Sequence, residues 1–190
     1  MNPILFLDID GVLNDGTWLT DAKSFHIKPQ CVKPFNRIIK EIHPDIVLTS
    51  AWRYMILAGT MTTQGFQFLL RSHGVSCDIH IIGITPQSEF CRHCKHVNVR
   101  GAADCEKCGE ALKRGQQITS WLHGKIRRNY LVIDDHPHDI RAHRHPLLLT
   151  DGTVGLTETD ATTAIAMLAK ASSEPMVSLQ QSNSAAGIWC

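Results

Sequence analysis

A short apolar run near the start of the chain ends at two carboxylates, and this junction constrains the fold more than any other feature. Ile4–Leu7 is continuously apolar, and the segment Asp8–Gly11 that follows reads Asp-Ile-Asp-Gly. A run of this length that stops at a turn residue is typical of a strand buried on both faces of a parallel sheet. Asp8 then stands at the carboxyl end of the strand, where open α/β sheets bind ligands.

The rest of the chain alternates apolar runs with segments of helical periodicity. Strands are predicted at residues 45–49, 79–84, 130–133 and 147–149, and helices at 30–42, around 66–70, at 116–122 and at 159–171. Thr157 and Asp160 have the spacing of an N-terminal cap for the last helix. The alternation predicts an α/β fold, a doubly wound parallel sheet with right-handed crossovers. Its core covers 1–87 and 112–171, with a cysteine-bearing insertion at 88–111 and a flexible tail at 172–190.

The composition and the N-terminal sequence indicate a cellular compartment, but they do not identify a partner. A length of 190 residues suits one domain with a small insertion. The formal net charge of +1 gives no global attraction to nucleic acid or to a membrane. Because the N-terminus has neither a basic flank nor a long apolar run, we expect a cytoplasmic protein without a membrane partner. In a reducing cytosol, seven cysteines favour metal ligation or free thiols over disulfides.

Four separate segments place polar side chains where this topology brings them to one edge of the sheet. In chain order they are Asp8 with Asp10, Thr49 with Ser50, Lys113 with Arg114, and Asp134 with Asp135. In this order the sequence resembles the phosphatases of the haloacid dehalogenase (HAD) superfamily, over residues 4 to about 151. The segments FLDIDGVLN, LTSAWR, KRGQQITSWL, YLVIDD and TDGTVGLT are similar to the branch found in nucleic-acid repair proteins, which includes polynucleotide end phosphatases.

The resemblance implies a HAD-like, Rossmann-type fold and a role for each of these residues. Asp8 would attack phosphorus and form an aspartyl-phosphate, while Asp10 would protonate the leaving oxygen and then activate water. Gly11 would let the chain turn so that both carboxylates face the phosphate. Magnesium prefers oxygen ligands, and it would be held by Asp8, the Asp10 carbonyl, Asp134 and Asp135.

The remaining polar residues are assigned to the phosphoryl group. Ser50 would donate to a phosphoryl oxygen, with Thr49 beside it, and a cation would stabilise the transition state. Two adjacent cations are available, and the sequence does not determine which one points inward; of the two we expect Lys113 rather than Arg114. Arg53 would make a second phosphate contact, although two residues separate it from Ser50, which departs from the Ser-x-Arg arrangement of end phosphatases.

Two cysteine knuckles form the second strong motif. Cys91-x-x-Cys94 is followed after ten residues by Cys105-x-x-Cys108. Four thiolates at this spacing predict one tetrahedral, structural Zn²⁺ in a ribbon at the cap position of the fold. The alternatives are two disulfides or four idle thiols. The ribbon is also basic, which suits either a grip on a phosphodiester backbone or a solvated surface; its basic residues are Arg92, His93, Lys95, His96 and Arg100.

Two groups of residues receive structural rather than chemical assignments. Four histidines at 136, 138, 143 and 145 follow the acidic pair. We expect an exposed loop without a second metal there, in which His136 or His138 is available to substrate phosphate. Trp52 and Trp18 are expected to pack, with stacking on a base as the alternative.

The leading hypothesis is a magnesium-dependent phosphomonoesterase that removes a terminal phosphate from RNA or DNA. A small-molecule phosphatase acting on nucleotides or sugar phosphates is the nearest alternative, because fold does not determine substrate. A non-enzymatic module that binds through its zinc ribbon is the third. The chain lacks a Gly-x-x-x-x-Gly-Lys-Ser/Thr loop, which excludes a P-loop kinase activity on it. The choice of 3′ or 5′ end and the oligomeric state are not encoded in any motif.

Overall fold

The order of elements follows the predicted alternation of strands and helices. In the computed structural model the strands are β1 (Ile4–Leu7), β2 (Asp45–Leu48), β3 (His80–Ile84), β4 (Tyr130–Asp134) and β5 (Leu147–Leu149). The helices are α1 (Pro29–Ile42), α2 (Arg53–Leu57), α3 (Thr63–Ser72), α4 (Arg114–Leu122) and α5 (Glu158–Lys170). The structure describes residues 1–15, 26–86, 94, 96, 107–109, 113–125 and 128–170. No helix within these ranges has the length and apolar character needed to cross a membrane.

The five strands form one parallel sheet in the order β3-β2-β1-β4-β5. Leu7 at the end of β1 pairs with Leu48 of β2 and with Ile133 of β4. The next residue on each strand therefore reaches the same edge of the sheet. The chain order reverses between β1 and β4, which is where open α/β sheets bind ligands. The predicted α/β fold with a parallel sheet is confirmed.

Helices cover both faces of the sheet because its central strands are apolar at successive positions. Leu5 and Leu7 of β1 join a large buried cluster with residues of α1, α3 and α5 such as Phe35. Phe6, on the opposite face, packs in a smaller cluster with Ile118 of α4. Burial of both faces is the pattern that a continuous apolar strand predicts. The position of α4 on its own face decides which side chains of its first turn approach the sheet edge.

Two helix boundaries differ from the prediction. Helix α2 was not predicted, because its five residues are too few to show a periodic stripe. Helix α4 begins at Arg114 rather than at Gln116. Its N-cap residue, Lys113, makes no side-chain capping hydrogen bond, so the local sequence carries no start signal.

The predicted cap of the last helix is confirmed. The backbone N–H and the hydroxyl of Thr157 donate to Asp160 Oδ2 at 2.9 and 2.6 Å, and the Asp160 N–H donates back to Thr157 Oγ1 at 3.2 Å. This reciprocal pair satisfies backbone donors at the helix start. It explains why α5 begins at Glu158, one residue from the predicted boundary.

Candidate active site

Asp8 and Asp134 lie side by side because β1 and β4 are neighbours in the sheet. The Asp8 N–H donates to Ile133 O at 3.0 Å, which places Asp8 level with Asp134. Asp134 is fully buried and Asp8 is 5 % exposed. Each carboxylate accepts one backbone hydrogen bond, from the Ile9 N–H to Asp8 Oδ1 at 2.8 Å and from the His136 N–H to Asp134 Oδ1 at 2.9 Å. Two buried carboxylates that lie next to each other require a compensating cation.

Arg114 supplies positive charge between the two carboxylates. Its Nη1 forms ion pairs with Asp8 Oδ2 and with Asp134 Oδ2. Burial alone would lower the pKa of Arg114, but the two carboxylates raise it, so the guanidinium stays charged. The expectation that Lys113 points inward is wrong, because Lys113 is exposed at the N-cap position. The first residue of α4, rather than the residue before it, faces the sheet edge.

Asp135 completes a cluster of three carboxylates. One oxygen from each of Asp8, Asp134 and Asp135 lies within 4.8 Å of the other two. Gly11 has a φ of +68°, and both Gly11 and Gly152 approach Asp135 so closely that a Cβ on either would overlap Asp135 Oδ2. The two glycines therefore form a cradle around this acid. Hard oxygen donors that converge on one point fit Mg²⁺, as the sequence predicted.

Burial raises the pKa of three carboxyls at this edge. The pKa of Asp134 rises to about 7 because the group is buried; Arg114 opposes the rise, and the charge of Asp8 adds to it. Burial and the charge of Asp8 also raise the pKa of Asp135. Burial also raises the pKa of Asp10, although the hydrogen bond from Asn14 lowers it in part. The cluster is thus short of positive charge, which a divalent cation would supply.

Asp10 is oriented by two N–H donors. Asn14 Nδ2 donates to Asp10 Oδ1 at 3.1 Å. Trp52 Nε1 donates to Asp10 Oδ1 at 2.9 Å and to Oδ2 at 3.0 Å. Asn14 is itself held, because its Oδ1 accepts from the Gly11 N–H at 2.8 Å. Trp52 packs edge-on against Phe66, with the two ring centroids 6.0 Å apart, as a packing role requires. Its indole N–H also reaches the site.

The loop after β2 brings two hydroxyl groups to the same edge. The Thr49 N–H donates to Leu7 O at 2.9 Å, and both Thr49 and Ser50 are fully buried. Ser50 Oγ accepts a hydrogen bond from the backbone N–H of Trp52 at 3.3 Å. Thr49 Oγ1 makes no hydrogen bond with the residues that the structure describes. A buried hydroxyl without a partner is costly, so Thr49 joins Ser50 as a candidate donor to substrate.

The Arg53 guanidinium bonds to protein acceptors, which differs from the predicted phosphate contact. Its side chain is buried, and the residue is 3 % exposed. Nη1 donates to Thr49 O at 2.7 Å and to Ser50 O at 2.8 Å, while Nη2 donates to Gln117 Oε1 at 2.8 Å. Burial lowers the pKa of Arg53. Its guanidinium ties the loop to α4, because Arg53 opens α2 and its side chain turns back onto the preceding residues.

The loop after β4 holds the start of α4. Asp139 Oδ1 accepts from the Gly115 N–H at 2.6 Å, and Asp139 Oδ2 accepts from the Gln116 N–H at 3.2 Å. His145 Nε2 donates to Gly115 O at 2.9 Å. His145 is 8 % exposed, which differs from the exposed position expected for this histidine. Hydrogen bonds from the loop after β4 therefore hold the first turn of α4, which begins at Arg114.

The comparison with protein families decides the assignment. A family model described as the HAD domain in Swiss Army Knife RNA repair proteins matches residues 4–161, a range that includes every acid and cation of this edge. The chain belongs to this family. No curated protein and no solved structure matches the chain. The HAD superfamily assignment made from the sequence motifs is confirmed.

The zinc prediction falls mostly outside the part of this HAD domain that the structure describes. Cys91 and Cys105 lie outside the described residues. Cys94 is half-buried and Cys108 is exposed. The ribbon at 88–111 and the tail at 172–190 therefore stay predictions.

The HAD domain also contains site residues that the sequence assignment missed. Asn14, Trp52 and Gly152 lie within the motif segments FLDIDGVLN, LTSAWR and TDGTVGLT, and that position was the available signal. Asp139 had no such signal, because it lies in an irregular loop and acts on a helix elsewhere in the chain. Gln117 lies within the motif segment KRGQQITSWL, but its role is to accept from Arg53 on another element.

Proposed function

We propose that this HAD domain is a magnesium-dependent phosphomonoesterase that forms an aspartyl-phosphate on Asp8. The observation that carries the proposal is the cluster of Asp8, Asp134 and Asp135 with Arg114 between two of its members. Phosphoryl transfer to a carboxylate brings two anions together, so it requires fixed positive charge at the point of attack. Arg114 supplies part of that charge, and the three acids attract the remainder as a cation.

The reaction proceeds in two displacements. An Asp8 oxygen attacks phosphorus as the bond to the ester oxygen breaks, and Asp10 gives a proton to that oxygen. Asp10 then takes a proton from water, which attacks phosphorus and breaks the bond to Asp8, releasing phosphate. Burial raises the pKa of Asp10, which favours the protonated form that the first displacement uses. Arg114 and the hydroxyls of Thr49 and Ser50 hold the non-bridging oxygens.

Magnesium would be held by the carboxylates of Asp8, Asp134 and Asp135 and by the Asp10 carbonyl. The fit rests on the all-oxygen donor set within 4.8 Å and on the glycine cradle around Asp135. When bound, the ion would neutralise charge on the phosphoryl group and on the nucleophile.

The proposed substrate is the terminal phosphate of a polynucleotide, RNA or DNA. The family description, with its reference to RNA repair proteins, supports a nucleic-acid end as substrate. The basic residues of the insertion support it too, because residues 92–100 lie shortly before the start of α4 in the sequence. Lysine and arginine contacts to phosphates would position the strand without reading its sequence.

The decisive test measures phosphate release from oligonucleotides with a 3′ or a 5′ phosphate and from a mononucleotide, with and without Mg²⁺. Asp8→Asn should lower turnover by about 1,000-fold or more, because it removes the nucleophile. Asp78→Asn, at an exposed acid remote from the cluster, is the matched control. Full activity of Asp8→Asn would contradict the mechanism. If only the mononucleotide is turned over, the result would support a small-molecule phosphatase instead.

The proposal includes one structural Zn²⁺ bound by Cys91, Cys94, Cys105 and Cys108. Two Cys-x-x-Cys knuckles support it, and a closed four-sulfur site would stabilise the insertion without taking part in chemistry. Elemental analysis should find one zinc per chain, lost in Cys91→Ser and retained in Cys77→Ser, which changes an exposed cysteine outside the knuckles. Zinc content that does not depend on Cys91 would contradict this assignment.

A further inference from the structure

We infer that Trp52 is a positioning residue for Asp10, and that it directs Asp10 Oδ2 to the leaving oxygen of phosphate esters of alcohols. The inference rests on the proposed phosphatase function and extends it to one atom and one substrate class. It starts from the two hydrogen bonds between the Trp52 indole and the Asp10 carboxylate, at 2.9 and 3.0 Å.

The two oxygens of Asp10 are not equivalent. Oδ1 accepts from Asn14 Nδ2 at 3.1 Å and from Trp52 Nε1 at 2.9 Å. Oδ2 receives only the second, longer branch of the Trp52 bond among the described contacts. A protonated carboxyl carries its proton on one oxygen and accepts on the other. Because Oδ1 accepts from both Asn14 and Trp52 while Oδ2, within the described part of the chain, accepts from Trp52 alone, Oδ2 is the oxygen with more room for the proton.

Trp52 is held too firmly to follow a rotation of Asp10. The residue is 8 % exposed and packs edge-on against Phe66. Its backbone N–H donates to Ser50 Oγ at 3.3 Å, which joins it to the loop that would hold the phosphoryl group. Turning the carboxyl away would break both branches of the hydrogen bond from the indole N–H, at a cost in free energy. The indole therefore fixes the direction of Asp10 relative to the phosphoryl loop.

The proton on Oδ2 has a defined place in the first displacement. The bond from an Asp8 oxygen to phosphorus forms while the bond from phosphorus to the ester oxygen breaks, and its electron pair stays on that oxygen. The proton of Asp10 Oδ2 moves to the same oxygen, so an alcohol leaves and Asp10 becomes a carboxylate. An alkoxide is a poor leaving group and needs this proton, whereas p-nitrophenolate leaves without it.

The choice of leaving group gives a test that a purely structural role for Trp52 would not pass. Trp52→Phe keeps an aromatic ring against Phe66 and removes the N–H donor. It should lower kcat/KM, which depends only on the steps up to the first displacement, about tenfold or more on an oligonucleotide with a terminal phosphate and less than about threefold on p-nitrophenyl phosphate. Phe66→Leu disturbs the same packing and keeps the N–H, so it should change both substrates equally.

A spectroscopic measurement separates the contact from the chemistry. The Trp52 indole N–H resonance, assigned by its loss in Trp52→Phe, should move in Asp10→Ala. An unmoved resonance would overturn the inference, as would equal losses of kcat/KM on the two substrates in Trp52→Phe. Absence of wild-type turnover on both substrates would instead overturn the proposed phosphatase itself, and the role of Trp52 with it. A moved resonance together with the leaving-group difference supports the inference.

Discussion

The arginine at the start of α4 touches two buried carboxylates at once, and this single contact links three segments of the chain. Arg114 is 106 residues from Asp8 in sequence and 20 from Asp134. A half-buried arginine is stable there because both partners compensate for its desolvation. Its neighbour Lys113 carries the same charge but is exposed at the N-cap.

Exchanging these two cations for glutamine tests which one serves the reaction. Arg114→Gln should lower kcat about 100-fold or more, because it removes fixed charge from the phosphoryl site. Lys113→Gln, the matched change one residue earlier, should stay within about threefold of wild type, since surface charges contribute little. Steady-state phosphate release, with circular dichroism to verify folding, measures both. A larger loss in Lys113→Gln than in Arg114→Gln would refute the assignment.

Gly11 combines a positive φ with close approach to Asp135, and the two effects can be separated. Gly11→Ala should destabilise the fold by about 1–2 kcal/mol for the left-handed conformation, with a further 1–3 kcal/mol, roughly, for overlap with Asp135. Gly124→Ala is the control, because Gly124 has a φ of +72° and no atom within 4 Å of its ideal Cβ. Urea denaturation compares the free energies of unfolding. Equal losses in the two variants would show that the cradle around Asp135 is not tight.

At the scale of elements, α4 depends on the loop after β4 for its start. Its N-cap residue gives no side-chain hydrogen bond, and Asp139 supplies the acceptors for the N–H groups of Gly115 and Gln116 instead. The room for this contact comes from Gly115, where a Cβ would lie 2.8 Å from Asp139 O. The cap therefore fixes both the helix and the direction of Arg114.

Removing that cap should affect catalysis as well as stability. Asp139→Ala should cost about 1 kcal/mol of stability, as the loss of an N-cap does, and lower kcat about tenfold by displacing Arg114. Thr62→Ala is the matched control, because Thr62 Oγ1 caps α3 by accepting from the Gly65 N–H at 2.9 Å, away from the acidic cluster. It should lose comparable stability and keep kcat. Equal kcat values for the two variants would show that the cap of α4 is only structural.

At the scale of the whole molecule, the parallel sheet gathers negative charge at one edge. The strands end together, so the acids that follow β1 and β4 meet there whatever else the chain contains. Asp134 has an ordinary pKa of 3.8 that burial raises to about 7 in the folded protein. A raised carboxyl pKa means that the folded state binds more protons than the unfolded state between these two values.

The resulting pH dependence has a definite sign. The stability that protonated Asp134 contributes is present below its unfolded pKa and is lost as pH rises through about 7. Without divalent cations, the melting temperature should therefore be lower at pH 8 than at pH 5. Mg²⁺ should raise it more at pH 8, because the ion binds the deprotonated cluster of the folded state. Calorimetry measures the melting temperature at both pH values. Asp134→Asn should reduce the difference between the two melting temperatures, and Asp78→Asn should leave that difference unchanged. An equal Mg²⁺ effect at both pH values would contradict the expectation.

The sequence by itself determined the five strands and the identity of the acidic edge. Ile4–Leu7, residues 46–48 and residues 130–133 are apolar runs whose lengths and end points can be read locally. Because strands in a parallel sheet end at the same edge, the residues that follow these runs were expected to meet. Asp8, Asp134 and Asp135 do so within 4.8 Å. This part of the site needed only strand boundaries and the α/β topology.

Tertiary structure alone decided which polar groups face which. The bond between Trp52 and Asp10 spans 42 residues, and the bond between Asp139 and the Gly115 N–H spans 24. Arg53 and Lys113 carry the charges of substrate ligands, yet the first is buried against backbone carbonyls and the second is exposed. Periodicity determines which residues belong to an element, but the direction of a side chain at the element's end depends on how distant segments pack against it. Packing of α2 and α4 on the sheet therefore selected Arg114 over Lys113 and brought Trp52 to Asp10.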